Sequence, residues 1–136
     1  MNAALVPELI CSDIAVSLKF YCEQLGFQIL YDRPEERFAY LGMGDAELML
    51  EQPSTQDRLW PKVELVKPYG RGVNFEIRVD DVGAVHKRVR AAGLEFFLAL
   101  EVRDYKRKSD TVRVRQFAVQ DPDGYLIRLS QRLLVI

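Results

Sequence analysis

Histidine is almost absent from this chain, because its 136 residues include a single one, His86. A catalytic pair of nucleophile and imidazole base, or a metal site made of several imidazoles, needs histidine at defined positions. His86 follows Val85 on a predicted helix and is flanked by basic residues, where an ordinary structural position at the solvent boundary is expected. The single histidine therefore argues against catalysis by a nucleophile with an imidazole base and against a metal site made of several imidazoles.

Cysteine, net charge and long apolar runs are scarce as well. Cys11 and Cys22 lack the spacing of a metal or redox motif, which predicts two free thiols in a reducing compartment. The formal net charge of −1 provides no field that would attract nucleic acid or anionic lipid. No apolar run is long enough to span a bilayer, and no secretory leader is expected. We therefore expect a cytoplasmic protein whose partners include neither nucleic acid nor a membrane.

The chain does contain one structural pattern twice. An alternating strand leads into an amphipathic helix, and three further extended segments follow. The first copy spans residues 4–52, the second spans residues 72–132, and a proline-containing linker at 53–71 joins them. Neither copy can bury its apolar face alone, so the two copies must fold together. The repeat predicts one α+β domain over residues 1–136, built from two tandem β-α-β-β-β modules.

The predicted helices of the two copies have matching boundaries. The pairs Ser12-Asp13 and Asp80-Asp81 are predicted to supply the N-caps, since serine and aspartate side chains accept hydrogen bonds from the free N–H groups of the first turn. Gly26 and Gly93 are predicted to end the helices. Aligned on these residues, the two helices differ in length by one residue.

The second copy ends in the turn Asp121-Pro122-Asp123-Gly124, with Phe117 four residues ahead of it. Together with the repeat and the helix caps, this turn resembles the vicinal oxygen chelate superfamily. That superfamily includes glyoxalase I, extradiol dioxygenases, fosfomycin-resistance enzymes and bleomycin-resistance proteins. The resemblance covers essentially the whole chain and implies two modules whose curled mixed sheets form a cup. It also implies a homodimer, because such cups are often completed across a two-fold axis.

In the metalloenzymes of that superfamily, His, Gln and Glu side chains on the first and last strands of each module hold the metal. The corresponding positions here are Val6, Met49, Asn74 and Arg128. Valine has no donor atom, a thioether suits soft metals, and a guanidinium repels cations. The chain therefore resembles the metal-free branch of bleomycin-resistance proteins, which bind a drug and catalyse nothing. The resemblance implies no metal and no cofactor, and it favours a protein that is not an enzyme.

Period-two alternation along the strands assigns side chains to the cup. It predicts glutamates and arginines there, with aromatic walls, and it places Arg113, Arg115 and Phe117 on the same cup face. Two interpretations stay open: ion pairs that satisfy one another, or a network that orients a polar organic ligand. The candidate ligand-binding residues are Glu8, Tyr40, Met49, Glu51, Trp60, Asn74, Glu76, Phe97, Arg115 and Arg128.

The sequence leaves the charge of such a ligand open. Arginine can hold a carboxylate or phosphate through two parallel hydrogen bonds, whereas glutamates favour a cationic drug. The favoured function is non-catalytic binding of a small, antibiotic-like molecule by sequestration. The alternative is a metal-dependent lyase or isomerase resembling glyoxalase I, which needs a Lewis acid to stabilise an enediolate. A third possibility is an accessory role in which an outer surface matters.

Overall fold

A computed structural model describes residues 1–54 and 59–136 of the chain, so residues 55–58 of the predicted linker lie outside the described part. None of the helices in the described ranges is both long and apolar enough to cross a bilayer.

The chain divides into two compact units. The first comprises Met1–Tyr69 together with Pro122–Gly124, and the second comprises Gly70–Asp121 together with Tyr125–Ile136. Each unit has the element order β-α-β-β-β, as the sequence repeat predicts. The chain passes from one unit to the next near the end of the predicted linker, and it returns to the first unit for the three residues Pro122–Gly124.

The first unit is a four-stranded mixed sheet with a short helical segment. Its elements are β1 (Glu8–Ile10), α1 (Ile14–Leu18), a π-helical segment (Lys19–Leu25), β2 (Gln28–Arg33), a 3-10 turn (Pro34–Glu36), β3 (Phe38–Met43) and β4 (Ala46–Glu51). The strand order is β1-β4-β3-β2. Strand β1 runs parallel to β4, and the other neighbours are antiparallel.

The second unit repeats this topology with longer strands. Its elements are β5 (Asn74–Arg78), α2 (Val82–Ala91), β6 (Leu98–Lys106), β7 (Thr111–Gln120) and β8 (Leu126–Val135). The strand order is β5-β8-β7-β6, with β5 parallel to β8. Pairing in this unit continues as far as Thr111 and Ile136, which exchange two backbone hydrogen bonds.

The predicted caps form at both helices. Asp13 accepts hydrogen bonds from the backbone N–H groups of Ala15 and Val16, and Asp81 accepts one from Ala84. The additional residue between Asp13 and Gly26 is accommodated by the π-helical segment, since the wider π turn holds one more residue than an α turn. Gly26 then adopts a left-handed conformation with φ of 102°, which glycine tolerates without strain.

A glutamine also meets the first helical N–H group in each unit. Gln52 accepts a hydrogen bond from the N–H of Ile14 at 3.0 Å, and Gln131 accepts one from the N–H of Val82 at the same distance. Gln52 directly follows β4, the last strand of the first unit, and Gln131 lies within β8, the last strand of the second. Each sheet therefore fixes the start of its own helix, because a first-turn N–H has no partner within the helix.

Alternation along the strands separates a buried face from an open face in each sheet. In β4, Leu48 and Leu50 are buried, whereas Met49 between them is partly exposed. In β8, Ile127 and Leu129 are fully buried. We use "open face" for the side of each sheet that carries the intervening residues. On the other side the core packs against the helical segments, whose buried residues are Ser17, Phe20, Tyr21, Leu25, Val82, Val85 and Val89.

The turn that carries the sequence motif is held inside the first unit by a buried carboxylate. The side chain of Asp123 has no solvent exposure. It accepts a hydrogen bond from the backbone N–H of Ser12 at 3.1 Å and another from the Ser12 hydroxyl. Lys67 Nζ lies 3.5 Å from the same carboxylate. Asp123 thus joins the Asp-Pro-Asp-Gly turn to Ser12, which precedes the N-cap Asp13 of the first helix.

We expect Asp123→Ala to lower the free energy of unfolding by about 2–4 kcal/mol, because it removes an acceptor from a buried N–H and a buried hydroxyl. Asp123→Asn keeps one acceptor and should cost less. Asp45→Ala, at an exposed turn, is the control and should leave stability unchanged. Urea denaturation followed by circular dichroism gives the three values, and equal stability of the two alanine variants would contradict the role given to Asp123.

Candidate functional site

Four of the predicted ligand-binding residues share the open face of the first sheet. Met49 at the centre of β4 pairs with Glu8 on one side and with Tyr40 on the other. Glu51 follows two residues later and pairs with Phe38. Side chains directly opposite one another in neighbouring strands lie close enough to interact. The structure thus brings these residues together as a surface that combines carboxylates, a thioether and aromatic rings.

An aromatic cluster extends this surface towards β2. The ring of Tyr31 stacks on that of Tyr40, with centroids 5.0 Å apart and planes tilted by 17°. The guanidinium of Arg33 lies 3.9 Å from the centroid of the Phe38 ring, a cation–π contact. The cluster leaves Tyr31 largely exposed. A planar group of a ligand could therefore lie against an existing stack of rings.

The hydroxyl of Tyr40 donates a hydrogen bond to Glu47, which also accepts from the backbone N–H groups of Asn2 and Ala3. The Glu47 carboxylate raises the pKa of Tyr40 to about 12. The same hydrogen bond, helped by the two backbone donors, lowers the pKa of Glu47 below its usual value. The hydroxyl of Tyr40 is therefore already committed to a partner, so its ring is the part left for a ligand.

We predict that Tyr40 titrates at about pH 12 in the folded protein, well above the ordinary value of 10.0. Because the pKa of Tyr40 is higher in the folded than in the unfolded state, the stability from this bond is fully present below pH 10. It is lost as the pH rises through 12. At the acid end it is present above the ordinary pKa of Glu47, 4.5, and is lost as the pH falls through the lowered value.

Ultraviolet absorbance of tyrosinate, with circular dichroism to confirm folding, measures this titration. Tyr40→Phe should remove the late step, and Glu47→Gln should return it towards 10. Titration of Tyr40 near its ordinary pKa would show that the bond is not formed in solution.

The open face of the second sheet has a hydrogen-bonded network around Arg128. Arg128 pairs with Glu76 of β5 in the strand register, yet its Nη1 lies 3.8 Å from the Glu76 carboxylate. The same nitrogen donates to the Gln116 amide oxygen at 3.0 Å. The Gln116 amide nitrogen in turn donates to Glu101 at 2.8 Å and to the Tyr105 hydroxyl at 2.7 Å. Gln116 is therefore the centre of the network.

A pocket of about 210 Å³ opens on this face of the second sheet. Its wall contains the guanidinium that the network holds, and it also contains apolar and hydroxyl side chains. The lining residues are Glu76, Arg78, Tyr105, Val112, Val114, Arg128, Ser130 and Arg132. The pocket is suited to a polar ligand, because charged and hydroxyl groups converge there over an apolar floor.

The environment of Arg128 is not that of a self-satisfied ion pair. Its Nε is buried and has no hydrogen-bond partner among the residues that the structure describes. The side chain of Glu76 is 41% exposed, so water satisfies much of this carboxylate. The loose ion pair therefore adds little stability, since partly exposed pairs are screened by solvent.

We expect Arg128→Met to change the free energy of unfolding by less than about 1 kcal/mol. The substitution leaves the Gln116 oxygen without its donor, but it also removes a buried N–H that lacks an acceptor. A tightly paired buried network would instead lose about 3–5 kcal/mol. Urea denaturation decides between the two, with Arg90→Met on the exposed side of α2 as the matched control.

Not all predicted site residues lie on these open faces. The prediction that Arg113, Arg115 and Phe117 share the cup face is wrong. Phe117 is fully buried against His86, and an Arg115 Nη lies 3.2 Å from where a Cβ on Gly83 of α2 would stand. Arg115 and Phe117 thus point towards the helix.

The remaining predicted residues are more exposed than a ligand wall requires. Trp60 is 86% exposed and Phe97 is 67% exposed, so the described residues do not enclose either ring. Asn74 lies at the start of the edge strand β5 and is exposed as well. Their role in binding stays a prediction.

Gln116 and Tyr105 are site residues that the sequence reasoning missed. The sequence does contain a signal for Gln116. It follows Val112 and Val114 on the same face of the strand but is polar, and a buried amide needs hydrogen-bond partners. Tyr105 could not be found in this way, because it lies near the end of β6, whose length is set by pairing with β7.

The residues present do not fit a transition metal or a divalent cation. Arg128 occupies the ligand position of β8, and its neighbours Arg78 and Arg132 add positive charge to the same pocket. Within the described ranges, no three His, Cys, Asp or Glu side chains are close enough to hold a metal ion. His86, the single histidine, stacks on Phe96 with ring centroids 4.7 Å apart and so serves the core.

Comparison with known proteins agrees with this architecture. The family model of the Glyoxalase/Bleomycin resistance protein/Dioxygenase superfamily matches residues 4–129. The chain belongs to this superfamily. A probable lactoylglutathione lyase of Vibrio parahaemolyticus is 31% identical over 126 residues, covering 88% of this chain and 83% of that protein.

A second relative in the superfamily is a bleomycin resistance protein of Geobacillus stearothermophilus, 26% identical over 94% of this chain and 96% of that protein. The crystal structure of TioX from Micromonospora sp. ML1 is 23% identical, covers 97% of this chain and 100% of that chain, and superposes with a TM-score of 0.68. This last likeness shows the fold alone. The relatives include both an enzyme and a resistance protein, so membership of the superfamily does not by itself assign an activity.

Proposed function

We propose that this protein binds a small, antibiotic-like organic molecule and sequesters it without transforming it. The observation that carries the proposal is the guanidinium of Arg128, which is held by Gln116 at 3.0 Å at the position where the superfamily resemblance places a metal ligand. A cation at that position would meet a positive charge instead of a donor atom. The open faces can still bind an organic molecule, because binding needs complementary shape and polarity but no Lewis acid.

The described residues also offer no activated nucleophile. The thiol of Cys22 has a raised pKa, because burial disfavours the thiolate and Glu23 adds to the effect. The thiol of Cys11 is buried, and Cys11 is not part of a disulfide. The thiolate is the reactive form of cysteine, so a raised pKa lowers the reactivity of Cys22 at neutral pH. These features support binding over covalent catalysis.

The open face of the first sheet supports the choice of a drug-like ligand. Glu8 and Glu51 flank the Met49 row, and Tyr31 stacks on Tyr40 beside it. Carboxylates favour a basic group, and exposed rings favour a planar one. The similarity to the bleomycin resistance protein over 94% of the chain is in keeping with such a ligand. The homodimer and the cytoplasmic location stay predictions of this proposal.

A metal-dependent lyase is the second candidate, favoured by the 31% identity to the probable lactoylglutathione lyase. That activity would require the chain to hold a Lewis acid with side chains other than those at the expected ligand positions. The two candidates therefore differ in a property that can be measured directly.

We expect the purified protein, supplied with Zn²⁺, Ni²⁺ or Mn²⁺, to form no lactoylglutathione from methylglyoxal and glutathione. We expect a bleomycin to bind the metal-free protein with saturable heat in calorimetry. Glu51→Gln should weaken that binding about tenfold, since one charge-assisted contact contributes roughly that factor. Glu35→Gln, on the exposed 3-10 turn, is the matched control and should bind as the original protein does.

Two results would count against the proposal. Turnover that appears with added metal and disappears with a chelator would identify the protein as the lyase. Equal loss of affinity in the Glu35 and Glu51 variants would show that the open face of the first sheet does not contact the drug.

A further inference from the structure

We propose that the pocket on the open face of the second sheet is a binding site for an oxyanion, a carboxylate or phosphate, carried by a small organic ligand. This inference rests on the proposed function, because it names the charge of one group on the molecule that the protein binds. It answers a question that the sequence leaves open, where arginines and glutamates point to ligands of opposite charge.

The charge of the pocket favours an anion. Arg78, Arg128 and Arg132 line it together with a single carboxylate, Glu76, which gives the lining a formal charge of +2. No carboxylate among the described residues forms an ion pair with Arg78. Three cations around one small volume repel one another, and a bound anion relieves that repulsion.

The two acidic groups near these arginines do not cancel the excess positive charge of the pocket. Glu76 lies 3.8 Å from Arg128 and is 41% exposed, so it compensates one cation loosely. Asp110 interacts electrostatically with Arg132, which contributes to lowering its pKa, but Arg107 is its main partner and the first cause of that shift. The Arg107 guanidinium holds Asp110 through two nitrogens, one of them at 2.6 Å. Arg132 thus keeps most of its charge for the pocket.

The hydrogen-bond pattern favours an acceptor as well. Because the Gln116 amide oxygen faces Arg128, its NH₂ group must point to Glu101 and Tyr105. The Tyr105 hydroxyl accepts from that NH₂ group, which leaves its own O–H free to donate. Tyr105 and the arginines line the same pocket. The lining is therefore rich in donors, and Glu76 is its one charged acceptor.

The volume limits the size of the group. About 210 Å³ corresponds to roughly seven water molecules, at about 30 Å³ each. That space admits a carboxylate or a phosphate with a short carbon chain, and a larger ligand would extend from the open face into solvent. Guanidinium groups suit these oxyanions, because their N–H groups can form parallel hydrogen bonds to two oxygens.

A matched set of four-carbon probes tests the charge directly: succinate, butane-1,4-diol and putrescine are dianionic, neutral and dicationic. We expect succinate to perturb the amide resonances around Arg78, Gln116 and Arg132 in NMR titrations, and the diol and the diamine to leave them unchanged. Inorganic phosphate, titrated in parallel, separates the two oxyanions, because the preferred one displaces the other at lower concentration.

Variants of the pocket arginines test whether the anion binds in this pocket. Arg78→Gln and Arg132→Gln should each weaken succinate or phosphate binding about tenfold, the factor expected for one charge-assisted hydrogen bond. Arg90→Gln on α2, an exposed arginine on the helical side, should bind the anion as the original chain does. Among the described residues, neither Arg78 nor Arg132 forms an ion pair, so these two variants should remain folded, as circular dichroism will check.

The outcomes separate this inference from the proposed function. If neither anion binds in the millimolar range, or if the diol or the diamine binds equally well, the oxyanion site is wrong even when a bleomycin is sequestered. If the anion binds and the two pocket variants lose it, the site is confirmed even when metal-dependent turnover overturns sequestration. Equal anion affinity in the Arg78, Arg132 and Arg90 variants would show that binding occurs elsewhere.

Discussion

Burial of alternate strand residues under a helix is the constraint on which both units depend. Leu48 and Leu50 in β4, like Ile127 and Leu129 in β8, must face the core because their apolar surface is the main source of stability. A strand of period two then has no choice but to place Met49 and Arg128 on the other side. The chemistry of each open face is therefore decided by residues that the core does not use, and these are free to change without loss of the fold.

This constraint explains why so much of the fold could be read from the sequence. The caps at Asp13 and Asp81 and the glycine stops at Gly26 and Gly93 depend on short-range hydrogen bonds and local backbone conformation, which few other residue types satisfy. The one-residue difference between the two helices also has a local cause, since it is absorbed by a π turn. The residue pairs around Met49 and Arg128 follow once the strands and their faces are known.

What could not be read depends on contacts between strands that lie far apart in the sequence. The pairing of β7 with β8 is irregular between Arg113 and Val114, and β7 presents its even-numbered residues, Gln116 among them, to the open face. Alternation within a single strand is compatible with either face lying against the helix. In β7 arginines alternate with valines, and this pattern alone does not show which set faces the helix. Arg115 was placed on the wrong face for this reason. The partners of Gln116 were hidden similarly, because the length of β6 is set by pairing with β7.

The two units show that a shared backbone does not impose a shared chemistry. Glu8 and Met49 are paired in β1 and β4 as Glu76 and Arg128 are in β5 and β8, yet the first pair adjoins stacked tyrosines and the second adjoins further arginines. A repeat fixes which backbone positions lie on the open face. The side chains at those positions determine whether the face binds a metal ion, a cationic group or an anionic group. The superfamily contains enzymes and binding proteins because this choice can be made at a few positions while the core stays the same. In this chain a guanidinium occupies one of those positions, so the groups that a guanidinium attracts determine what this face can bind.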